Sequence, residues 1–395
     1  MESKKYFIPF QKYFLTNCYL WTILGPVSAR KREGGRKPAT YLEVARLAKV
    51  SAATVTRMAA GGAGVSKEVS LRVRRAAEKL GTDLEKKKRT RIIAFLLSNR
   101  DVLHPFQGHI LLGAEAYCAA NGWEMLFQSF RYPLFGSYPE IHLPQIVSRR
   151  DLLRGIILGG TNSASLLRAL KKRGMPFAVL GNNVVGDWQP ADCDVVSSDD
   201  VNGAYELTCD LVAQGHRDIW FIGDLQLPWY RNCAEGYGHA MANAGLQPRI
   251  KEIHTGDREL GYLAARSILN TPPVTAVFAG NDQVAAGVYR AFGEAGMRIP
   301  ADISVVGFND TEGQNLYPAL TTVREFPEEI GKHLAEFVLE RITNPEAPGR
   351  QLLLPTQLVR RESSAALSRV GNIVQSGVSV PDPARGPSIG DRNSG

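Results

Sequence analysis

The chain has 395 residues, 44% of them apolar and 22% charged, a length that suits two or three domains at roughly 150 residues each. That composition excludes collagen-like, wholly disordered and coiled-coil chains. The net charge of +8 is the sum of two unlike parts: residues 1–91 carry 21 Lys/Arg against 7 Asp/Glu, and the rest carry 26 against 32. A basic head on a mildly acidic body is expected where one small domain meets a polyanion, and nucleic acid is the first suspect.

In chain order, residues 1–39 come first. Lys4 and Lys5, an apolar stretch from Phe14 to Val27 and then Ser28 and Ala29 follow the order of a secretory signal. Thr16, Asn17, Cys18 and Thr22 interrupt it, so a disordered extension, or an upstream start with translation from Val27, is the expectation. From Thr40 to Gly81 the pattern is helical in three pieces. Thr40 is placed to cap Tyr41–Lys49, with Leu42, Val44, Ala45 and Ala48 along one side. Ser51 is placed to cap residues 52–60, the run 61–64 breaks that helix, and Ser66 opens a longer one through Leu80 that Gly81 stops. Two helices joined by a tight turn and buttressed by a third form a helix-turn-helix.

Residues 82–91 read as a charged linker. Residues 92–363 then alternate short apolar strands with helical spans, beginning with a strand at 92–97, a helix at 109–120 and a strand at 125–128. Further strands are expected at 155–158, 177–181, 219–223, 276–279 and 303–308. That alternation implies parallel sheets with crossover helices, and its length favours two α/β lobes. Residues 364–395, rich in Gly, Ser and Pro, read as a disordered tail without a leucine heptad. Five cysteines, odd in number and never in C-x-x-C pairs, point to reduced thiols in a cytoplasm and to no zinc ribbon. No apolar run reaches the ~18 residues of a membrane span.

The string 40–48 (TYLEVARLA), then Val50 to Arg57, Gly61, Val65-Ser66 and Ala76 to Gly81 resembles the DNA-binding headpiece of the lactose-repressor family of bacterial transcription regulators. The body carries further landmarks in order: His104-Pro105-Phe106, Gly215-His216, Gly236-Tyr237, Ala279 to Gln283, Ile299 to Phe308, Pro318 to Val323 and Arg361-Glu362-Ser363. The resemblance implies a homodimer. Each subunit would join a helix-turn-helix headpiece to a two-lobed α/β effector domain like the periplasmic sugar-binding proteins. A small molecule between the lobes would change affinity for double-stranded operator DNA.

An α-helix fits the major groove, so Ala52 and Ala53 at the start of the second helix would face base edges, their methyls able to meet a thymine methyl. Arg57 is placed to fork onto a guanine, worth about 1–3 kcal/mol of discrimination, or onto a phosphate. Hydroxyls of Thr40, Ser51, Thr54 and Thr56 are placed to grip phosphate oxygens, cap helices, or both. Three departures from the family stand out. Only nine residues separate Gly81 from Arg91, leaving Leu84 as the sole apolar candidate for the minor-groove wedge of a hinge helix. Ala60 replaces a backbone-contacting asparagine, and Lys49 replaces a turn glycine and would have to adopt a left-handed conformation.

For the effector, the resemblance points to Asp282 as the carboxylate that holds ligand hydroxyls or amines, with a helix-capping role as the alternative. Arg231 lies two positions before the family's arginine, whose place Cys233 takes. His104, Phe106 and Gln107 open the first helix of the first lobe, and Trp229 is placed to stack on a sugar face. An exported or transport-linked binding protein is the alternative function, against which the intact headpiece argues. No H-E-x-x-H, Walker A or G-x-G-x-x-G string is present, so no catalytic, metal or cofactor site is expected.

Overall fold

The computed structural model describes residues 40–59, 65–82, 90–134, 141–190, 193–271 and 273–367. The expectations for residues 1–39, for Ala60, for Leu84 and the charged linker through residue 89, and for the tail beyond 367 lie outside the described residues. The chain divides into two compact units, residues 1–89 and 90–395.

The first unit holds α1 (Tyr41–Ala48), α2 (Ala52–Ala59) and α3 (Lys67–Lys79). Their inner faces meet in a small core of Val44, Ala45, Ala48, Val55, Val73, Ala76 and Ala77. Leu42, expected on the inner side of α1, is instead exposed. Ser66 caps α3 by accepting the Val69 N–H at 3.3 Å, and Gly81 leaves that helix at φ +62, a conformation only glycine adopts without cost. Lys49, between α1 and α2, adopts φ 55 and ψ 46. The left-handed turn is therefore kept without its glycine, at a strain of order 1 kcal/mol.

The second unit contains two lobes. In the first, β1 (Ile92–Ser98), β2 (Glu124–Phe130), β3 (Gly155–Gly160), β5 (Phe177–Leu180), β7 (Asp194–Ser198) and β13 (Gln351–Leu354) form one sheet in the order β13-β7-β5-β3-β1-β2. All its pairings are parallel. Helices α4 (Pro105–Ala120), α5 (Ala164–Lys172) and α10 (Pro327–Thr343) pack on it, and a two-stranded pair, β4 (Asn162–Ser163) and β6 (Val184–Val185), stands beside it. Residues 93–97 of β1 are wholly buried, as a parallel strand covered on both faces requires.

The second lobe carries a parallel sheet in the order β11-β10-β8-β9, made of β8 (Ile219–Gly223), β9 (Arg249–Glu252), β10 (Ala276–Ala279) and β11 (Ser304–Val306). Around it lie α6 (Asp200–Ala213), α7 (Pro228–Asn243), α8 (Asp257–Ile268) and α9 (Asp282–Glu294). A short antiparallel ladder of β12 (Thr322–Arg324) and β14 (Gln357–Val359) completes the fold. The chain crosses between the lobes three times: after β7, between β12 and α10, and between β13 and β14. At the second crossing Phe326 has φ 56, a rare backbone state for a bulky residue. Residues 364–367 are tied to the second lobe, Leu367 N–H donating to the Gln214 carbonyl and Ala365 N–H to Ser304 Oγ.

Candidate DNA-reading face and effector cleft

On α2, Val55 points into the headpiece core while Ala53, Thr56 and Arg57 are exposed. Positions three and four apart share one side of a helix, so these side chains form a face directed away from the bundle. Ser51 Oγ accepts the Thr54 N–H at 3.1 Å and lies 2.8 Å from the Thr54 hydroxyl. The Thr56 hydroxyl donates to the Ala52 carbonyl at 3.0 Å. Arg57 has no hydrogen-bond or ion-pair partner among the described residues. Thr40 is committed to α1: its N–H and hydroxyl donate to Glu43 Oε2 at 2.5 and 2.9 Å, and these donations hold the Glu43 carboxyl below its ordinary range.

Within the body, a cleft separates the two lobes, and its polar groups come from just beyond the carboxyl ends of strands in both sheets. Arg100 follows β1, Asn182 follows β5, Asp200 follows β7, Asn281 follows β10 and Asn309 follows β11. Ligands in open parallel α/β sheets gather at those strand ends. Of the residues expected here, His104, Phe106, Gln107 and Trp229 all line the cleft. His104 precedes Pro105 at the first turn of α4, and Gln107 Oε1 accepts the Gly160 N–H at 2.7 Å, fixing that helix against β3. Trp229 stands under the Arg100 guanidinium, 4.6 Å from its ring centre, a cation–π stack.

Two expectations are corrected. Asp282 is fully buried and outside the cleft. Its Oδ2 accepts the N–H groups of Thr311, Glu312 and Gly313 at 2.8, 3.0 and 2.9 Å, and its Oδ1 accepts the Thr322 hydroxyl at 2.8 Å. Both oxygens are thus taken up by the 311–313 loop and β12, and burial, aided by the Asp310 charge, raises the carboxyl to about 6 against those hydrogen bonds. Asn281, one residue earlier, caps α9 through Val284 N–H at 2.8 Å and faces the cleft instead. Arg231 is exposed, and its guanidinium donates to the Leu225 carbonyl at 3.3 Å. Two residues on, around 200° of helix away, Cys233 lies beside the cleft where Arg231 does not. Burial and the nearby Asp200 and Glu325 charges push its thiol well up, so it is a neutral group.

The chemistry that the sequence reading did not single out lies in three acids. Asp257, at the start of α8, accepts the Tyr230 hydroxyl at 2.9 Å, Asn281 Nδ2 at 3.0 Å and His104 Nε2 at 3.3 Å, and lies 3.5 Å from Arg100. Burial alone would raise it, but the Arg100 and His104 charges and the Asn281 donor outweigh burial and hold it well below the usual carboxylate range. Arg100 and His104 belong to the first lobe and Asp257 to the second, so this ion cluster bridges the cleft.

Asp200 and Glu325, at two of the three interlobe crossings, are 2% and 7% exposed. Ser198 Oγ lies 2.7 Å from Asp200 Oδ1 and 2.7 Å from Glu325 Oε1, and Asn182 Nδ2 donates to Asp200 Oδ2 at 2.5 Å. Burial raises both acids, with the Asp199 charge adding to it at Asp200 and the Asp200 charge adding to it at Glu325. His104 Nδ1 and Arg100 Nε are buried without a partner among the described residues, polar atoms with hydrogen-bonding capacity to offer a ligand. Between these groups the cleft leaves about 30 Å³ for the centres of water-sized molecules, room for about two waters.

A wider hollow of about 200 Å³ on the first lobe, between α5 and Trp188, has apolar walls of Ala164, Leu167, Phe177 and Trp188, and its charged and amide groups, Arg168, Lys171, Asp187 and Gln189, are all exposed. Convergent buried polar groups make the interlobe cleft the better ligand site. Among the described residues, Asp224, Glu252 and His254 each offer one metal-ligand atom within 4.8 Å of the others. His254 Nδ1 is already engaged by Asp224 Oδ1 at 2.8 Å, and Glu252 and His254 are exposed.

Comparison with known proteins agrees with this arrangement. Residues 40–81 match the profile of "Bacterial regulatory proteins, lacI family" and residues 208–364 that of "Periplasmic binding protein-like domain". The chain is 30% identical over 343 residues to the ribose operon repressor of Haemophilus influenzae, covering 83% of this chain and 99% of that protein. It is 27% identical over 352 residues to the HTH-type transcriptional repressor CytR of Escherichia coli, covering 86% and 100%. A LacI family transcriptional regulator from Enterococcus faecium, solved with bound ribose, superposes with a TM-score of 0.60 at 25% identity, covering 70% of this chain and all of that one. The chain belongs to the lacI family of bacterial regulatory proteins, DNA-binding transcription regulators that pair a helix-turn-helix headpiece with a periplasmic-binding-protein-like effector domain.

Proposed function

We propose that this chain acts as a homodimeric repressor in the cytoplasm, where operator DNA is held by α2 and its neighbours and released or retained according to a sugar-like effector in the interlobe cleft. The observation that carries the reading is the cleft itself: groups of both lobes converge there, joined by the Arg100, His104 and Asp257 cluster. A ligand that replaces or reinforces that bridge changes the balance between open and closed lobes, which is the differential binding that allostery requires. Ribose in the E. faecium relative, and the ribose operon repressor among the relatives, favour a sugar over other metabolites.

In this reading Ala52 and Ala53 face base edges, Arg57 contacts a guanine or a phosphate, and Thr40, Ser51, Thr54 and Thr56 lie along the phosphate backbone. His104, Phe106, Gln107 and Trp229 touch the effector, with Asn281, Asn309 and the two acids replacing Asp282 and Arg231. Leu112 on α4 and Leu126 and Phe127 on the edge strand β2 are exposed, as a surface kept for a second copy is. An exported binding protein has no use for the headpiece.

Fluorescence anisotropy on a promoter fragment, with and without a panel of sugars, tests the whole. Salt-sensitive, sequence-selective binding that a sugar shifts is expected. Replacing Arg57 by Ala should weaken operator binding by about 1–3 kcal/mol. Absence of any selective retention would refute the proposal.

A further inference from the structure

The cleft is unevenly charged. Arg100 is committed to Asp257 at 3.5 Å and stacked on Trp229. Among the described residues no Lys, Arg or His nitrogen lies within 4.0 Å of Asp200 or Glu325, although both are more than nine-tenths buried. Ser198 contacts both carboxyls at 2.7 Å, yet a hydroxyl carries one proton. Completing both contacts requires a second proton on the pair, with one carboxyl O–H donating to Ser198 Oγ. Glu325 Oε2 accepts nothing from any described residue. The α7 position beside these acids, where a guanidinium would supply charge, holds the Cys233 thiol.

Such a pocket disfavours phosphates and carboxylates, which would meet two acids and, as the cleft's guanidinium, only Arg100, which already faces Asp257 and Trp229 and has Nε alone left to offer. It suits a ligand that brings its own positive charge, since an opposite charge is what turns a buried acid into its ionised form. Resting on the reading of the cleft as a sugar site, we propose that the effector is an amino sugar or a sugar-like amine whose ammonium lodges against Asp200 and Glu325. On binding, the proton shared by the two acids leaves to solvent and the ammonium takes its place as the positive charge. The groups that face this pair are Ser198 and Asn182 from the first lobe, Cys233 and Asn232 from α7, and, by charge, Asp199 and Asp282. None of them is a cation.

The test is calorimetric titration of the full chain at pH 6.5 in two buffers of different ionisation heat. The probes are D-glucosamine, D-galactosamine and D-mannosamine, each set against its neutral parent sugar. At least one amine should bind ten-fold or more tighter than its parent, with close to one proton released per site. In E325Q the amine preference should fall below three-fold and the proton release should vanish. The wild-type proton count stands as a readout should that variant fold poorly. Neutral parents that bind as tightly as their amines, or amine binding without proton release, would overturn the inference while leaving the sugar reading standing. If neither set binds or shifts operator affinity, the inference and the reading beneath it fall together.

Discussion

The two acidic ends of the cleft are equally buried and oppositely treated. Asp257 has Arg100, His104, Tyr230 and Asn281 about it and stays ionised. Asp200 and Glu325 have one serine hydroxyl and amides, and both bind a proton more readily than a free carboxylate does. Depth is common to both, so cation count is what separates them: desolvation disfavours a carboxylate everywhere, and only a near opposite charge reverses it. One end is a finished interlobe bridge. The other is an acceptor set that lacks a counter-charge.

The largest break in that contrast comes from Asp257→Ala. It leaves Arg100 and His104 without their acid and the Tyr230 hydroxyl and Asn281 amide without their acceptor, so stability to urea should fall by about 3–5 kcal/mol. The pH sign follows from the depressed value. A carboxyl ionised more easily in the folded state contributes stability above its unfolded value near 4, lost as pH falls through the folded one. Asp257→Asn should therefore flatten the acid limb of the stability curve. A loss under about 1 kcal/mol for the alanine variant would mean that the bridge is ornamental.

Why the sequence disclosed one set of residues and hid another is a matter of range. Headpiece signals are local: Ser66 three residues before an N–H it accepts, Gly81 at a stop, Lys49 forced left-handed by a turn it cannot avoid. Apolar strands such as 219–223 and 276–279 announce themselves by composition, whereas the polar strand Arg249–Glu252 does not and is defined only by pairing with β8. The cleft acids are the product of three distant crossings, and nothing near Glu325 in the chain shows that Ser198 will lie 2.7 Å away. Asp282 and Arg231 miss the cleft by one and two helical positions, steps of about 100° each that turn a side chain off its face. The strand-end rule would have brought Asp200, Asn281 and Asn309 forward, since each follows a parallel strand.

A middle-sized effect should sharpen the contrast from the other end. Glu325→Gln removes an acid whose raised value makes the folded state hold a proton that the unfolded chain releases. Stability from such a group is present at low pH and lost as pH rises through the folded value. The variant should match wild type at pH 5 and gain about 1–2 kcal/mol at pH 8, because each tenfold rise in proton affinity on folding is worth about 1.4 kcal/mol. Thermal melts at the two pH values check it, and an equal effect at both would show that Glu325 is not held protonated by its surroundings.

The smallest expected effect concerns the link between the acids. Ser198→Ala removes the hydroxyl that lies between Asp200 and Glu325 and should cost about 1 kcal/mol, the net worth of a buried hydrogen bond. More telling is the double variant with Glu325→Gln. If one proton is shared through Ser198, the two changes act on one network, and their effects at pH 5 should differ from the sum by about 0.5 kcal/mol or more, roughly the smallest coupling that contacting residues show. Independent acids would give additive changes. Repeating the cycle with Asp257→Asn in place of Glu325→Gln should give additivity, because Asp257 has no partner in common with Ser198, and its ionised state depends on Arg100 rather than on a shared proton.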